Sequence, residues 1–147
     1  MELDLRSKNK DSMTVPAEKE FLPKVREFAE RYGRKHGFSR EHINCLRITV
    51  DEICSNIVLY AYSGIDRGDI KIEFTQQDDT VVTNIVDTGV AFDYSSVKTP
   101  NLERYVQERL KGGLGLHLVK SLNDDVVYER VGHRNVLTIV KALRPQS

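Results

Sequence analysis

Apolar positions in this chain recur with two different periods, and the switch between them divides it into helices and strands. Phe21, Val25, Phe28 and Tyr32 follow one another at intervals of 4, 3 and 4, with Leu22 and Ala29 alongside, which is the stripe of an amphipathic helix. A short strand around Met13 leads into it. Pro16 is expected near the first helical turn, where a missing N–H costs nothing, and Pro23 early enough to be tolerated, with a kink. Gly33 and Gly37 are expected to stop the helix. Ser39 then suits an N-cap and Glu41 the first turn of a second helix, whose core face is Ile43, Leu46, Val50, Ile53 and Ile57.

Beyond Gly64 the period falls to two. Ile70, Ile72 and Phe74 alternate, "QQDD" turns, and "TVVTNIV" reads as the returning strand. Residues 93–112 form a long connection containing a helical piece, "NLERYVQERL", that begins after Pro100. "GGLGLHLVKSL" is glycine-rich and then helical, and "DDVVYERVGHRNVLTIVKAL" closes the chain with a second hairpin. Strands and helices are segregated, which predicts an α+β two-layer sandwich: a mixed, mostly antiparallel sheet covered on one face by helices. Residues 1–12 read as a polar N-terminal segment and 13–147 as one domain.

Composition narrows the function without naming it. Charged residues are 30% and hydrophobic ones 39% of 147, the balance of a globular chain. The 22 Lys and Arg equal the 22 Asp and Glu, so no net field draws the protein to nucleic acid or to a membrane surface. No apolar run approaches the roughly 18 residues of a membrane span, and "MELDLRSKNK" lacks the apolar centre of a secretory signal. Cys45 and Cys54 lie nine residues apart on one helix, about 13 Å of rise and too far to bridge. There is no CxxC, and the four histidines are scattered, so zinc has no evident site. A reducing cytoplasm is the expected location.

Three stretches carry groups that could do chemistry. On the second helix, Glu52 and Asn56 are four residues apart, about one turn, and point away from the core stripe. An Asn oxygen is a suitable hard ligand for Mg²⁺, and a neighbouring carboxylate can take a proton from a hydroxyl. A solvated or capped helix face would read the same way. Asp87, ending an apolar strand before Thr88 and Gly89, could accept from an exocyclic amine, with the glycine letting a flat ring lie on the backbone; it could equally be turn chemistry. Gly112, Gly113 and Gly115 open a helix whose free N–H groups and dipole favour an anion, although a hinge would use them too. The stretch is neither a Walker loop nor a dinucleotide fingerprint. Taken in order, the three would supply a metal ligand, a base, an adenine acceptor and a phosphate cradle.

That order resembles the Bergerat-type ATP-binding fold of the GHKL ATPases, the histidine-kinase-like group. Within it the chain is most similar to the single-domain anti-sigma factor serine/threonine kinases of bacterial partner switching. "DEICSNIVLYAY" resembles the family's N box, "DTGVAFD" its first glycine box and "GGLGLHLVKSL" its second, and the likeness runs from about Met13 to Leu143. The resemblance implies Glu52 as general base and Asn56 as the Mg²⁺ ligand. It implies Asp87 on the adenine amino group, Gly89 beside the ring, and Thr138 in support through its hydroxyl or a water. Gly113, Leu114, Gly115 and Leu116 would meet the phosphates. Residues 94–112 would be the ATP lid, with Arg104, Arg109 and Lys111 as γ-phosphate contacts, Arg109 foremost. Two departures stand out: Tyr60 where the family often has His, and Ala91 where the first glycine box has its second Gly.

By resemblance, the chain is expected to be a cytoplasmic, ATP- and Mg²⁺-dependent serine/threonine kinase that phosphorylates an anti-sigma factor antagonist and binds a sigma factor or similar regulator. A homodimer is also implied, for which the sequence carries no interface signature. A non-catalytic nucleotide-binding or partner-docking module is the alternative. A detached histidine-kinase catalytic domain is a third reading, disfavoured by the short lid and by the lack of a phosphoacceptor hairpin in the sequence.

Overall fold

The structure is a computed structural model that describes residues 10–62, 64–91 and 113–143. Five strands form one sheet in the order β1-β2-β3-β5-β4: β1 (Lys10–Pro16), β2 (Asp69–Gln77), β3 (Thr80–Asp87), β4 (Asp125–Val131) and β5 (Arg134–Ala142). All four pairings are antiparallel, so the mostly antiparallel sheet expected from the sequence is antiparallel throughout its described pairs. Among the described residues three α-helices accompany it: α1 (Leu22–Lys35), α2 (Arg40–Asn56) and α3 (Gly113–Leu122).

Alternation along the strands decides which face the helices cover. Ile70, Ile72 and Phe74 on β2, Val81 and Ile85 on β3, and Leu137 and Ile139 on β5 are buried and point to one side. Their neighbours Lys71, Glu73, Asn84 and Thr138 take the other side, as a period of two requires. Val25, Phe28, Ala29 and Tyr32 of α1 close the core with Leu46, Val50 and Ile53 of α2. Phe74 anchors that layer, its ring 5.2 Å from Phe28 and 5.0 Å from Tyr32.

Pro16 does not take the helical place expected of it, whereas Pro23 lies early in the helix as expected. Pro16 ends β1 opposite Asp69, on an edge strand where its missing N–H breaks no ladder, and so lies before the helix. Pro23 takes the first turn of α1. Gly37, with φ +71°, stops that helix: Phe38 N donates to Gly33 O (2.9 Å) and Gly37 N to Arg34 O (3.2 Å), which satisfies its last carbonyls. Gly33 is not a stop but lies inside α1, where a Cβ would fall 2.6 Å from Ile43 of α2. Ser39 caps α2 as expected, its Oγ accepting from His42 N at 3.1 Å. Arg26 and Asp51 join α1 to α2 at 2.7 Å. Cys45 and Cys54 are free thiols.

Candidate functional site

The second helix does not end where its α-helical stretch does. After Asn56 the chain continues through Ile57–Ala61 as a π-helix, a widened turn often found where function demands a displaced residue. Two carbonyls of this segment turn outward to partners elsewhere. Val58 O accepts from Arg67 Nη1 at 3.0 Å, and Ala61 O accepts from Val90 N at 2.6 Å. The second bond joins the helix that carries Glu52 and Asn56 to the strand end that carries Asp87. Gly89 makes it possible, because a Cβ there would overlap Ala61 O. Contact with the helix therefore accounts for this glycine independently of any ring beside it. Tyr62 adds a second tie: its hydroxyl donates to Asp69 O (3.2 Å) and accepts from Thr88 N (3.0 Å).

On α2, Asn56 is buried and its Nδ2 donates to Glu52 O at 2.8 Å. A carbonyl can only accept, so this bond fixes which end of the amide is nitrogen and leaves Oδ1 as the acceptor end for a cation. Glu52 is half-buried. Burial raises its carboxyl above the ordinary carboxylate range, and the charge of Asp51 adds to the effect. The rest of this face is uneven: Cys45 is buried, whereas Leu59 is 62% exposed.

Asp87 is 3% exposed at the end of β3. Its Oδ1 accepts from Gly89 N (2.8 Å) and from Asn135 Nδ2 (2.8 Å). Burial raises its pKa, opposed by those two donors and by Arg130. On α2 the buried Cys54 thiol is pushed up by burial first, then by the charges of Asp51 and Asp87.

Asn135, which the motifs did not single out, is the polar partner of Asp87 across the β3–β5 ladder. Thr138 is not. It sits three residues further along β5, on the opposite face, where its Oγ1 donates to Asn84 Oδ1 at 2.9 Å. The sheet itself separates Thr138 from Asp87, which removes the support expected of it. Strand parity was the available signal: Asn135 shares its period with the core residues Leu137 and Ile139, and Thr138 does not.

Gly113, Leu114, Gly115 and Leu116 form the first turn of α3, so Gly113 and Gly115 lie at the opening of the helix. The leading N–H groups of a helix have no partner within it. The other end of α3 is fixed on α2, where Asn123 Nδ2 donates to Thr49 Oγ1 at 3.0 Å. The lid expected at 94–112, with Arg104, Arg109 and Lys111, lies outside the described residues.

Helices cover one face of an antiparallel sheet, and a polar helix face is tied to a buried strand-end carboxylate, an α+β two-layer arrangement. Residues 15–141 match the histidine kinase-like ATPase domain family, and the chain belongs to it. It is 31% identical over 135 residues to the serine-protein kinase RsbW of Bacillus cereus (strain G9842), covering 89% of this chain and 82% of that one. RsbW of Bacillus mycoides (strain KBAB4) is 29% identical over the same coverage. The fold also matches the crystal structure of the RsbU and RsbW domains of Rv1364c from Mycobacterium tuberculosis. That match has a TM-score of 0.68 and 16% identity, over 92% of this chain and 33% of that one. The SiaB-SiaC complex of Pseudomonas aeruginosa matches at a TM-score of 0.58 and 13% identity, over 89% and 88%. Among the described residues no helix is long and apolar enough to cross a membrane.

Proposed function

We propose that the chain is an ATP-dependent serine/threonine protein kinase that phosphorylates an anti-sigma factor antagonist and binds a sigma factor or similar regulator. The observation that carries the reading is the bond from Val90 N to Ala61 O, which joins the helix bearing Glu52 and Asn56 to the strand end bearing Asp87. Kinship with serine-protein kinases supports the choice of hydroxyl as acceptor.

In this reading Asp87 accepts a hydrogen bond from the adenine amino group, and the leading N–H groups of α3 hold the phosphates. Asn56 holds Mg²⁺ through Oδ1, the end of the amide left free by its bond to Glu52 O. Bound Mg²⁺ supplies charge neutralisation to the triphosphate. Glu52 takes the proton of the attacking serine hydroxyl, and its raised pKa suits a base that must bind that proton during transfer. Arg109, in the lid, would meet the γ-phosphate.

Isothermal titration with ATP and Mg²⁺, set beside transfer of labelled phosphate to an antagonist-domain protein of the same genome, tests the reading. Saturable binding with phosphoserine on the antagonist is expected. Binding without transfer to any such protein would favour a regulatory module that docks without catalysis. Ala91 and Tyr60, the two departures from the family pattern, keep that second reading in play.

A further inference from the structure

Helix α3 is shallowly seated. Of its described side chains, His117 to Leu122, Val119 alone is buried, and Leu118 is 41% exposed. A single buried side chain can hold a helix against its neighbours but leaves its tilt open. What fixes the tilt is polar and gathers at the C-terminal end. Asn123 Nδ2 donates to Thr49 Oγ1 at 3.0 Å and to Val119 O at 2.9 Å, and these two bonds use both amide hydrogens. The first pins α3 to α2, where Thr49 is buried. The second caps a carbonyl that the last turn of a helix leaves without a partner. Leu122 O accepts from Lys141 Nζ of β5 at 3.0 Å, and Cys45 Sγ of α2 lies 3.6 Å from the same oxygen. The ammonium group thus sits at the negative end of the helix dipole, where a cation is favoured.

A pin at one end of a stiff helix sets the position of the other end. The ten residues of α3 span about 15 Å. A tilt of about 10° about Asn123 would carry the leading N–H groups about 2.6 Å, nearly the whole length of a hydrogen bond. The bonds at the C-terminal end therefore govern where the N–H groups beside Gly113 and Gly115 point.

We propose that Asn123 is a positioning residue for the triphosphate: by pinning the C-terminal end of α3 to Thr49, it holds the N–H groups of the opposite end where the phosphates meet them. This rests on the reading of α3 as the phosphate-binding helix. Asp87, at the end of β3, is held by Gly89 and Asn135 instead, so the base and the phosphates respond differently to loss of the pin.

The test compares ATP, by isothermal titration in Mg²⁺ buffer, with adenosine, by chemical-shift titration, in the full chain. Thr49→Val keeps the shape of the side chain and the cap on Val119, and removes only the acceptor of the pin. The affinity ratio of ATP to adenosine is expected to fall about three- to tenfold, the worth of one hydrogen bond, with adenosine itself unchanged within about twofold. A ratio that holds, whether both ligands weaken together or neither does, marks a merely structural bond and overturns the inference alone. A wild-type chain that does not favour ATP over adenosine overturns the reading of α3, and the inference with it. Should Thr49→Val fail to fold, Asn123→Ala removes pin and cap together from the half-buried end of the helix. It is expected to lower the ratio by about tenfold, and an unchanged ratio again overturns the inference.

Discussion

Asp87 is a buried charge that costs stability and, in the proposed function, serves binding. Its folded pKa is raised, so between the unfolded and folded values the native state holds the proton more tightly and stability falls as pH rises. Asp87→Asn removes that charge while leaving a carbonyl oxygen to accept from Gly89 N and Asn135 Nδ2. The variant is expected to melt no lower than the parent at pH 7 in a calorimetric scan, and to flatten this part of the pH–stability curve. Its new amide nitrogen would face the adenine amino group donor to donor, weakening ATP by about 10- to 100-fold. Glu52 sits at the other pole of the site. If Glu52 is the base as proposed, its raised pKa is expected to move the acid limb of the transfer rate above the ordinary carboxylate range, since only the ionised form can accept a proton. A pH–rate profile under saturating ATP checks this. Asn56→Ala should reduce ATP affinity in Mg²⁺ buffer to the value measured in EDTA, because only the metal-linked part of binding passes through Oδ1.

At the scale of elements, the site depends on how the end of α2 is held. The widening at Ile57–Ala61 frees carbonyls that Arg67 and Val90 then satisfy, so the turn exists because its partners do. Nothing in "IVLYA" announces it; a π-turn set by distant donors leaves no local period. Gly89→Ala is expected to lower stability by about 1–3 kcal/mol, as overpacking does, and to weaken ATP binding by displacing the Ala61–Val90 contact. Urea unfolding and nucleotide titration of the same variant measure the two effects. Other elements are legible from pattern. The stripes of α1 and α2 and the alternation of β2 repeat every few residues, and burial rewards that pattern directly. Pro16 fits a helix start locally as well as Pro23 does, and only the pairing with Asp69 places it in an edge strand. Residue type alone points to Thr138, whereas the parity of β5 favours Asn135.

Across the whole molecule, the order of motifs conveys more than any one of them. Glu52 with Asn56, Asp87 before Gly89, and the glycines of α3 each have a plain structural account, and the glycine at 89 keeps one in its contact with Ala61. What the fold adds is assembly: α2 meets the strand end through Val90 and meets α3 through Asn123. The sheet order places β5 beside β3 although α3 and β4 intervene in the chain, and that crossing brings Asn135 to Asp87. A pairing between strands so distant in sequence is set by topology, which no short stretch encodes. In the proposed function this assembly transfers phosphate from ATP with Glu52 as the base. The most direct measurement is single-turnover transfer of ³²P from ATP to an antagonist-domain protein of the same genome, by the wild-type chain and by Glu52→Gln. Phosphoserine on the antagonist is expected, with a loss of about 100-fold or more in Glu52→Gln and ATP affinity retained. Full transfer by Glu52→Gln would contradict it.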